Sequence, residues 1–308
     1  MKSIGRRRTL VPVVMAAAMI GARSAAAQEL NPGAYTVSPV GANFVGTTYQ
    51  FSSGDVTFDP SLPIQEAHSR LNTLALSYGR ALDVAGRSGT FLVVVPVVGG
   101  RQHGIIQGQF AEALRRGIAD VQLRLGVNLY GAPVMTRQEL AQPGRRTTFG
   151  ASLTMTIPVG QYDPAKLINL GTNRWAFKPE VALTHNTGRR WLFEVYGGVW
   201  LFTDNEDFYG GSVRTQQPIG SVQFHVRYTF KPGLWLSGNS NFYSGGRTTV
   251  DGKINLDFQR NSRIGATFNM PLTRQDALRF AVSRGAYTTI GADYTSLSAG
   301  YTHAWGGK

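Results

Sequence analysis

The stretch that decides the fold is Val222-Gln223-Phe224-His225-Val226-Arg227-Tyr228-Thr229-Phe230. Its even positions carry apolar or aromatic side chains, and its odd positions carry polar ones. A period of two indicates a β-strand, because successive side chains point to opposite faces of a sheet. Such a strand fits two structures. It is either half-buried in a water-soluble sheet, or it crosses a membrane with its apolar face toward lipid and its polar face toward a lumen.

The same alternation recurs along the chain and predicts about twelve strands. They cover residues 42–51, 70–80, 89–98, 121–130, 148–157, 175–184, 191–201, 222–230, 234–243, 263–270, 278–283 and 290–305. Residues 99–117 form a long connection in this assignment, and Phe110 to Arg116 is a candidate helical turn within it. Short turns largely alternate with longer loops, which is the habit of outer-membrane barrels.

The first residues have the pattern of a secretory signal peptide. A basic start (Lys2, Arg6 to Arg8) precedes the short apolar run Leu10 to Ala22, and Ala25-Ala26-Ala27 is a small-residue cleavage site. The apolar run is too short to cross a bilayer as a helix. We therefore predict a signal peptide at 1–27 and a single barrel domain at 28–308.

Composition agrees with export and excludes several classes of function. The chain has no cysteine, so it has no disulfide, thiol nucleophile or thiolate metal site. The net charge is +13, and loss of the five basic residues of the signal peptide lowers it to +8. The arginines are scattered singly along the strands and form no patch, so nucleic-acid binding is not predicted.

Three features favour a membrane barrel over a soluble sheet: the signal peptide, the lack of cysteines in an exported β protein, and charged residues in the middle of strands. Trp175, Trp191, Trp235 and Trp305 lie near predicted strand ends, where interfacial aromatic girdles form. The prediction is an all-β, closed antiparallel transmembrane β-barrel of outer-membrane type, because closure leaves no unpaired strand edge in hydrocarbon.

Several stretches resemble the Putative MetA-pathway of phenol degradation family. They are Pro39-Val-Gly-Ala-Asn43, Pro158-Val-Gly-Gln-Tyr-Asp163, Leu167-Ile-Asn-Leu-Gly-Thr-Asn-Arg-Trp-Ala-Phe-Lys-Pro-Glu180, Trp200-Leu-Phe-Thr-Asp-Asn205, Gln217-Pro218, Tyr243-Ser-Gly-Gly246 and Val250-Asp-Gly252. The resemblance implies a bacterial outer-membrane barrel, described as a transporter and linked with uptake of aromatic or hydrophobic compounds. Barrels of this kind usually end on an aromatic residue, and here Trp305 is followed by Gly306-Gly307-Lys308.

The polar parity of the strands supplies a predicted lumen lining. It comprises Arg124, Asn128, Lys178, Glu180, Glu194, His225, Arg227, Asn239, Asn241, Arg263 and Arg279. One interpretation is a pore or binding path whose field favours anionic or polar-headed solutes. The other is a lumen filled by its own ion pairs, in which Lys178 and Arg227 satisfy Glu180 and Glu194.

Two predicted outside loops carry polar clusters. Asp204-Asn205-Glu206-Asp207 is either a solvated loop or a set of oxygen ligands that holds Ca²⁺ and bridges to lipopolysaccharide, although its spacing matches no known calcium loop. Residues 166–171 with Asn173 and Arg174 either remain in solvent or fold into the barrel mouth. We predict no metal site and no cofactor, because the five histidines are scattered along the chain.

The sequence therefore predicts a transporter or channel for passive uptake of small organic compounds, and not an enzyme. Two alternatives stay open. A hydrolase of the outer-membrane phospholipase type would use His185, which has the outward parity but no serine at a suitable offset. A structural barrel would have a plugged lumen. The expected partners are outer-membrane lipids, lipopolysaccharide, the barrel-assembly machinery and a small organic solute.

Overall fold

Strands dominate the structure, a computed structural model that describes residues 30–56, 58–140, 144–188 and 190–307. The strands are β1 (Ala42–Val56), β2 (Ile64–Val84), β3 (Arg87–Ile106), β4 (Gln109–Ile118), β5 (Val121–Tyr130), β6 (Arg145–Ile157), β7 (Ala176–Thr187), β8 (Trp191–Phe202), β9 (Asn205–Phe208), β10 (Ser212–Gln216), β11 (Ile219–Lys231), β12 (Leu234–Gly245), β13 (Thr248–Val250), β14 (Lys253–Ile254), β15 (Gln259–Pro271), β16 (Asp276–Tyr287) and β17 (Ala292–Gly306). A helical turn, α1 (Arg137–Leu140), follows β5. The predicted signal peptide lies outside the described residues.

The main sheet closes on itself. Its order is β2-β1-β17-β16-β15-β12-β11-β8-β7-β6-β5-β3-β4, and β2 also pairs with β3. The first half of β3 pairs with β5 and its second half pairs with β4, so β4 and β5 share one position in the wall. The thirteen strands of the sheet therefore occupy twelve strand positions around the barrel, which confirms the predicted twelve-stranded antiparallel barrel.

The two faces of β11 settle the choice left open by its sequence. Phe224 and Val226 are 43% and 41% exposed, whereas His225 and Gln223 are each 1% exposed. A soluble sandwich would bury the apolar face and expose the polar one. Here the apolar face points out of the closed wall and the polar face points into the barrel, as lipid requires.

A cation placed on this outer face is expected to weaken the barrel strongly. We predict that Phe224→Arg lowers the free energy of unfolding by roughly 2–4 kcal/mol, because Arg would face hydrocarbon near the midplane. Urea unfolding in lipid vesicles, followed by tryptophan fluorescence, measures the change. Val213→Arg is the matched control: Val213 is equally exposed but lies in β10, outside the barrel wall, so its change should stay within about 0.5 kcal/mol. Equal losses in both variants would contradict an outer face in lipid.

The predicted loop at residues 99–117 is wrong, and so is its helical turn. β3 continues to Ile106, turns at Gln107 and Gly108, and returns as β4, which contains Phe110 to Arg116. Both turn residues have positive φ (51° and 79°), as a tight two-residue hairpin turn requires. The hairpin extends beyond the point where β3 leaves β5.

The connections at the two ends of the barrel differ in length. Short turns join β2 to β3, β7 to β8, β11 to β12 and β15 to β16 at one end. Most longer connections lie at the other end, which we call the outer end by analogy with outer-membrane barrels. The exceptions are the long β5–β6 connection at the first end and the short β16–β17 connection at the outer end. There, β9, β10, β13 and β14 form a separate four-stranded sheet, here called the lid. The lid strands lie in connections that the sequence predicted as plain loops.

The aromatic girdle is only partly as predicted. Trp175, Trp191 and Trp305 are 37–46% exposed on the outer face. Trp235 is instead 4% exposed and lies inside the barrel, where its ring packs 4.5 Å from the Arg227 guanidinium. Within the described residues, no helix is long and apolar enough to cross a bilayer.

Candidate functional site

The predicted lumen residues lie together inside the barrel. Ten of the eleven are buried and Arg124 is half-buried. The ten are Asn128, Lys178, Glu180, Glu194, His225, Arg227, Asn239, Asn241, Arg263 and Arg279. The parity of the strands is enough to place these side chains, and their part in transport stays a proposal.

Two ion pairs occupy the middle of the lumen. Lys178 Nζ lies 2.7 Å from Glu180 Oε2, and Arg227 Nη2 lies 3.2 Å from Glu194 Oε2. These are the two acids and two cations that the sequence offered as mutual partners. Both acids are almost fully buried, so removing either partner would leave a buried charge without its counter-charge.

A segment that precedes the first strand fills the space between these pairs. Residues 31–40, here called the plug, lie inside the barrel and not along its wall. The Gly33 amide donates to both carboxylate oxygens of Glu194, at 3.1 and 3.0 Å. The Tyr35 hydroxyl bonds Ser152 Oγ at 2.8 Å and donates to Glu180 Oε1 at 3.1 Å. The plug therefore holds both buried acids.

Backbone carbonyls of the plug are also bonded by the barrel wall. Arg124 Nη1 donates to the Ala34 oxygen at 3.2 Å, and the Arg124 guanidinium lies 4.6 Å from the centre of the Tyr35 ring. Gly33 has a φ of +82°, and a Cβ there would lie 2.4 Å from Arg227 Nη2. A glycine is needed at this position, since it allows both the backbone conformation and the close approach of the arginine.

Other lumen residues bond to each other and hold the opposite wall together. His225 Nδ1 and Asn239 Oδ1 are 2.9 Å apart, and Asn239 Nδ2 donates to Thr267 Oγ1 at 3.0 Å. Arg263 donates to Ser283 and to the Tyr294 carbonyl, and its guanidinium lies 4.1 Å from the Tyr294 ring. These bonds link the neighbouring strands β11, β12, β15, β16 and β17 across the inner face of the barrel.

Above the plug, the barrel widens into a cavity of about 280 Å³ at its outer end, here called the vestibule. Apolar side chains from five regions of the chain contribute to its wall: Leu71, Val98, Leu170, Phe202 and Ile219. Polar groups from the loops and strand ends complete it, among them Arg174, Arg214, Asp59, Asp120 and Gln216. A mixed, concave site of this kind is the usual form of a small-molecule pocket.

The connection between β6 and β7 forms one side of the vestibule. Asp120, at the break between β4 and β5, accepts from the Gly160 amide at 3.0 Å and from the Thr172 amide and hydroxyl at 2.8 and 2.6 Å. Leu170 packs with Val98 and Ala119. Of the two alternatives for residues 166–174, the structure has the one in which the loop folds into the mouth. Sequence reasoning missed Asp120, which stands between two strand patterns without belonging to either.

The lid is fastened to the β1–β2 loop by one buried carboxylate. Arg214 Nε lies 2.5 Å from Asp59 Oδ2, and Asn255 Nδ2 donates to Asp59 Oδ1 at 2.9 Å. Thr248, in lid strand β13, bonds both Asp59 and Asp257, an acid in the connection between the lid and β15. Burial alone would raise the pKa of Asp59. The charge of Arg214 and the hydrogen bonds that the Asp59 carboxylate accepts hold that pKa below its usual 3.8.

We predict that the lid loosens when Asp59 loses its charge. A lowered pKa means that the ionised form stabilises the folded lid, so the stabilisation is complete above the usual value and is lost as the pH falls below it. At neutral pH, Asp59→Asn is expected to raise hydrogen exchange of the β10 and β13 amides about tenfold, equivalent to roughly 1.4 kcal/mol. Mass spectrometry of exchanged peptides measures this.

Asp55→Asn is the matched control, because Asp55 lies in the same region but its side chain is 87% exposed. It should leave exchange in the lid unchanged. Unaltered protection of the lid in Asp59→Asn would show that the carboxylate does not fasten it.

The acidic loop cluster is not gathered into a metal site. Asp204, Glu206 and Asp207 are exposed, while Asn205 is buried and its Nδ2 donates to the Tyr162 hydroxyl at 3.0 Å and to the Thr172 carbonyl at 3.2 Å. In the described part of the chain, no three His, Asp or Glu side chains are placed to share a metal ion. Asn205 therefore ties the lid to the β6–β7 loop.

The hydrogen-bond partner of His185 is a threonine hydroxyl, whereas the phospholipase alternative needs a serine. Its Nδ1 lies 2.8 Å from Thr147 Oγ1. A hydrolytic triad also needs a group that orients the imidazole. Among the described residues, no carboxylate lies within ion-pair distance of His185, whereas His68 and His303 each have one.

Comparison with known proteins agrees with this geometry. The model of the family described as Putative MetA-pathway of phenol degradation matches residues 52–302. The chain belongs to this family. The resemblance seen in the sequence is thereby confirmed over nearly the whole barrel. No curated protein matches the chain.

Solved structures similar to this member of the family are also outer-membrane barrels. An outer membrane channel from Pseudomonas putida F1 has a TM-score of 0.73 at 22% identity, covering 89% of this chain and 99% of that one. The transport unit of the autotransporter AIDA-I from Escherichia coli has a TM-score of 0.50 at 8% identity, covering 86% and 90%. At these identities the likeness concerns the fold.

Proposed function

We propose that the protein is an outer-membrane channel for the passive uptake of small organic molecules with an aromatic or apolar body. The observation that carries the proposal is the vestibule, a partly apolar cavity inside a closed, lipid-facing barrel and open toward the outer end. A molecule that enters it has left water without entering the bilayer. Membership of the phenol-degradation family supports the same class of solute.

The location and partners follow from the same reasoning. The chain is exported, cleaved near Ala27 and folded into the outer membrane by the barrel-assembly machinery. Lipids then cover the apolar belt, and lipopolysaccharide covers its outer rim. Exposed aromatic side chains lie at both boundaries of the belt, with Trp175 at the outer end and Trp191 at the opposite end.

The plug is the barrier below the vestibule. Hydrogen bonds and ring contacts hold it against the wall, and its C-terminal end continues into β1. A solute that moves from the vestibule toward the periplasm therefore has to displace residues 31–40 or use space that opens when they shift. The proposal makes movement of the plug the gating step.

The chain offers a clean test, because it has no cysteine of its own. Tyr35→Cys and Ser152→Cys place one thiol on the plug and one on the wall, where the native side chains touch. A short bismaleimide then locks the plug in place. Uptake of labelled aromatic solutes is measured in porin-deficient cells that carry the locked protein, the unlocked protein or no barrel. Each single-cysteine variant, treated with the same reagent, is the matched control.

Uptake by the unlocked protein should exceed that of cells without it, and locking should return uptake to the background. If uptake never exceeds the background for any solute, the channel proposal fails. The second candidate, a structural barrel with a permanently filled lumen, is then favoured by the many bonds between plug and wall.

A further inference from the structure

The arginine at the edge of the vestibule has an incomplete set of partners. Arg174 is 9% exposed and lines the cavity. One arm, Nη2, bonds Gln216 Oε1, and the guanidinium lies 4.5 Å from the centre of the Phe202 ring. The other arm, Nη1, is buried and has no hydrogen-bond partner among the described residues. A buried cation with an unused donor is costly unless something else accepts from it.

Arg174 also has no counter-charge of its own. In the described part of the chain, no carboxylate lies within ion-pair distance of Arg174, although several line the same cavity. Among the described residues, the guanidinium has Gln216 as its hydrogen-bond partner, which is a neutral amide. That amide is fixed because its Nε2 donates to the Gly246 carbonyl at 3.0 Å. Gln216 therefore presents an acceptor but no charge.

The three acids that line the cavity beside Arg174 are already engaged elsewhere. Asp59 is held by Arg214 and Asn255, and Asp120 by Thr172 and Gly160. Asp257 accepts from the amide and the hydroxyl of Thr248 at 2.8 and 2.5 Å. Asp204 also acts on Arg174 through its charge, but it is exposed and lies beyond ion-pair distance, so among the described residues no acid bonds the Arg174 guanidinium.

Arg174 keeps its charge at neutral pH despite these surroundings. Burial lowers its pKa to about 9, and the positive field of Arg214 acts in the same direction, whereas Asp59, Asp204 and Asp120 partly offset both. The group is therefore a cation at the pH of most natural waters, and an anion beside it would be stabilised by a charge-assisted hydrogen bond.

The cavity next to Arg174 suits a small apolar body. Phe202, Ile219 and Leu170 line it, and its volume of about 280 Å³ lies at the small end of ligand pockets. That size fits a single ring with one or two substituents better than a long chain.

From this geometry we infer that the vestibule is a selective binding site for the anion of a small aromatic or alicyclic acid, whose carboxylate accepts from Arg174 Nη1 while its ring packs against Phe202, Ile219 and Leu170. The inference rests on the proposed function, which it deepens by naming the class of solute. It makes Arg174 the residue that distinguishes acids from neutral aromatics of the same shape.

Binding to the purified, detergent-solubilised full chain tests the inference. Equilibrium dialysis compares benzoate, its neutral analogue methyl benzoate, and cyclohexanecarboxylate. The variants are Arg174→Gln, which removes the charge, and Arg174→Lys, which keeps the charge but loses the planar set of guanidinium donors. The matched control is Arg101→Gln, because Arg101 is an exposed arginine of the β3–β4 hairpin.

The unaltered protein should bind both acids at least about tenfold more tightly than methyl benzoate, as a charge-assisted contact provides. Arg174→Gln should remove that preference and leave methyl benzoate within about twofold of its original affinity. Arg174→Lys should retain part of the preference, and Arg101→Gln should retain all of it. Equal affinity for benzoate and methyl benzoate in the unaltered protein would overturn the inference, and so would equal weakening of both by Arg174→Gln.

The comparison of ligands needs no variant, so it decides the matter even if Arg174→Gln does not fold. Its failure is also distinct from failure of the channel proposal. Uptake of neutral aromatics without any preference for acids would leave the channel in place and remove only the role of Arg174.

Discussion

A variant that lacks residues 31–38 is expected to conduct ions roughly tenfold better than the intact protein, since conduction follows the free cross-section of the narrowest part of a pore. The plug fills the lumen at the level of Glu194 and Glu180, and its removal leaves that level open to water. Single-channel recording in planar bilayers measures the change. The opened pore should prefer anions, because the predicted lumen lining carries five cations and two acids.

The control deletion removes residues 105–110, the tip of the β3–β4 hairpin beyond the lumen. It should leave the conductance unchanged. Both proteins must keep the heat-modifiable migration of a folded barrel in gel electrophoresis. A folded plug deletion with wild-type conductance would mean that the plug is not the barrier.

The second large effect is expected at Glu194. This side chain is 1% exposed, accepts from the Tyr196 hydroxyl at 2.6 Å, and pairs with Arg227. Glu194→Leu leaves the Arg227 guanidinium buried without a counter-charge and leaves the plug without its main acceptor. We expect a loss of about 3–5 kcal/mol in the free energy of unfolding, the usual result of removing one partner of a buried ion pair. Urea unfolding in lipid vesicles measures it.

The double variant Glu194→Leu with Arg227→Leu should recover most of that loss, because no charge then remains unpaired. Glu112→Leu is the control on a surface pair: Glu112 and Arg101 are 3.7 Å apart and largely exposed, so the change should stay below about 1 kcal/mol. A Glu194→Leu variant as stable as the control would show that the buried pair and the plug contribute nothing to stability.

The fold was largely predictable because lipid enforces the alternation of side chains in each strand. β11 and β5 show it clearly: β5 has the predicted limits, and β11 begins at Ile219 and ends at Lys231 where the prediction was 222–230. The assignment failed at β3 and β4, where Gly99, Gly100, Gly104 and Gly117 interrupt the apolar parity in a hairpin that extends beyond the main wall. It also failed at Trp235, since position near a strand end does not tell which face a ring occupies when two buried arginines attract it.

The site was predictable only for side chains that lie on the strands of the barrel. The pairs Lys178–Glu180 and Arg227–Glu194 arise from residues on the same strand and on adjoining strands, so parity brings them together. The plug does not: Gly33 bonds a residue 161 positions later, and no local pattern in residues 31–40 announces that contact. The role of Arg174 likewise depends on which acids have other partners, and only the three-dimensional arrangement shows that.

The pairing of β1 with β17 joins residues 42 and 306, almost the full length of the chain. A truncated product that ends before residue 292 would keep the other strands of the barrel. It would leave β1 and β16 each with a row of unpaired amides and carbonyls. Hydrocarbon does not tolerate such rows, since each unsatisfied group costs several kcal/mol there. A chain without β17 is therefore not expected to insert stably into the bilayer, because the barrel cannot close.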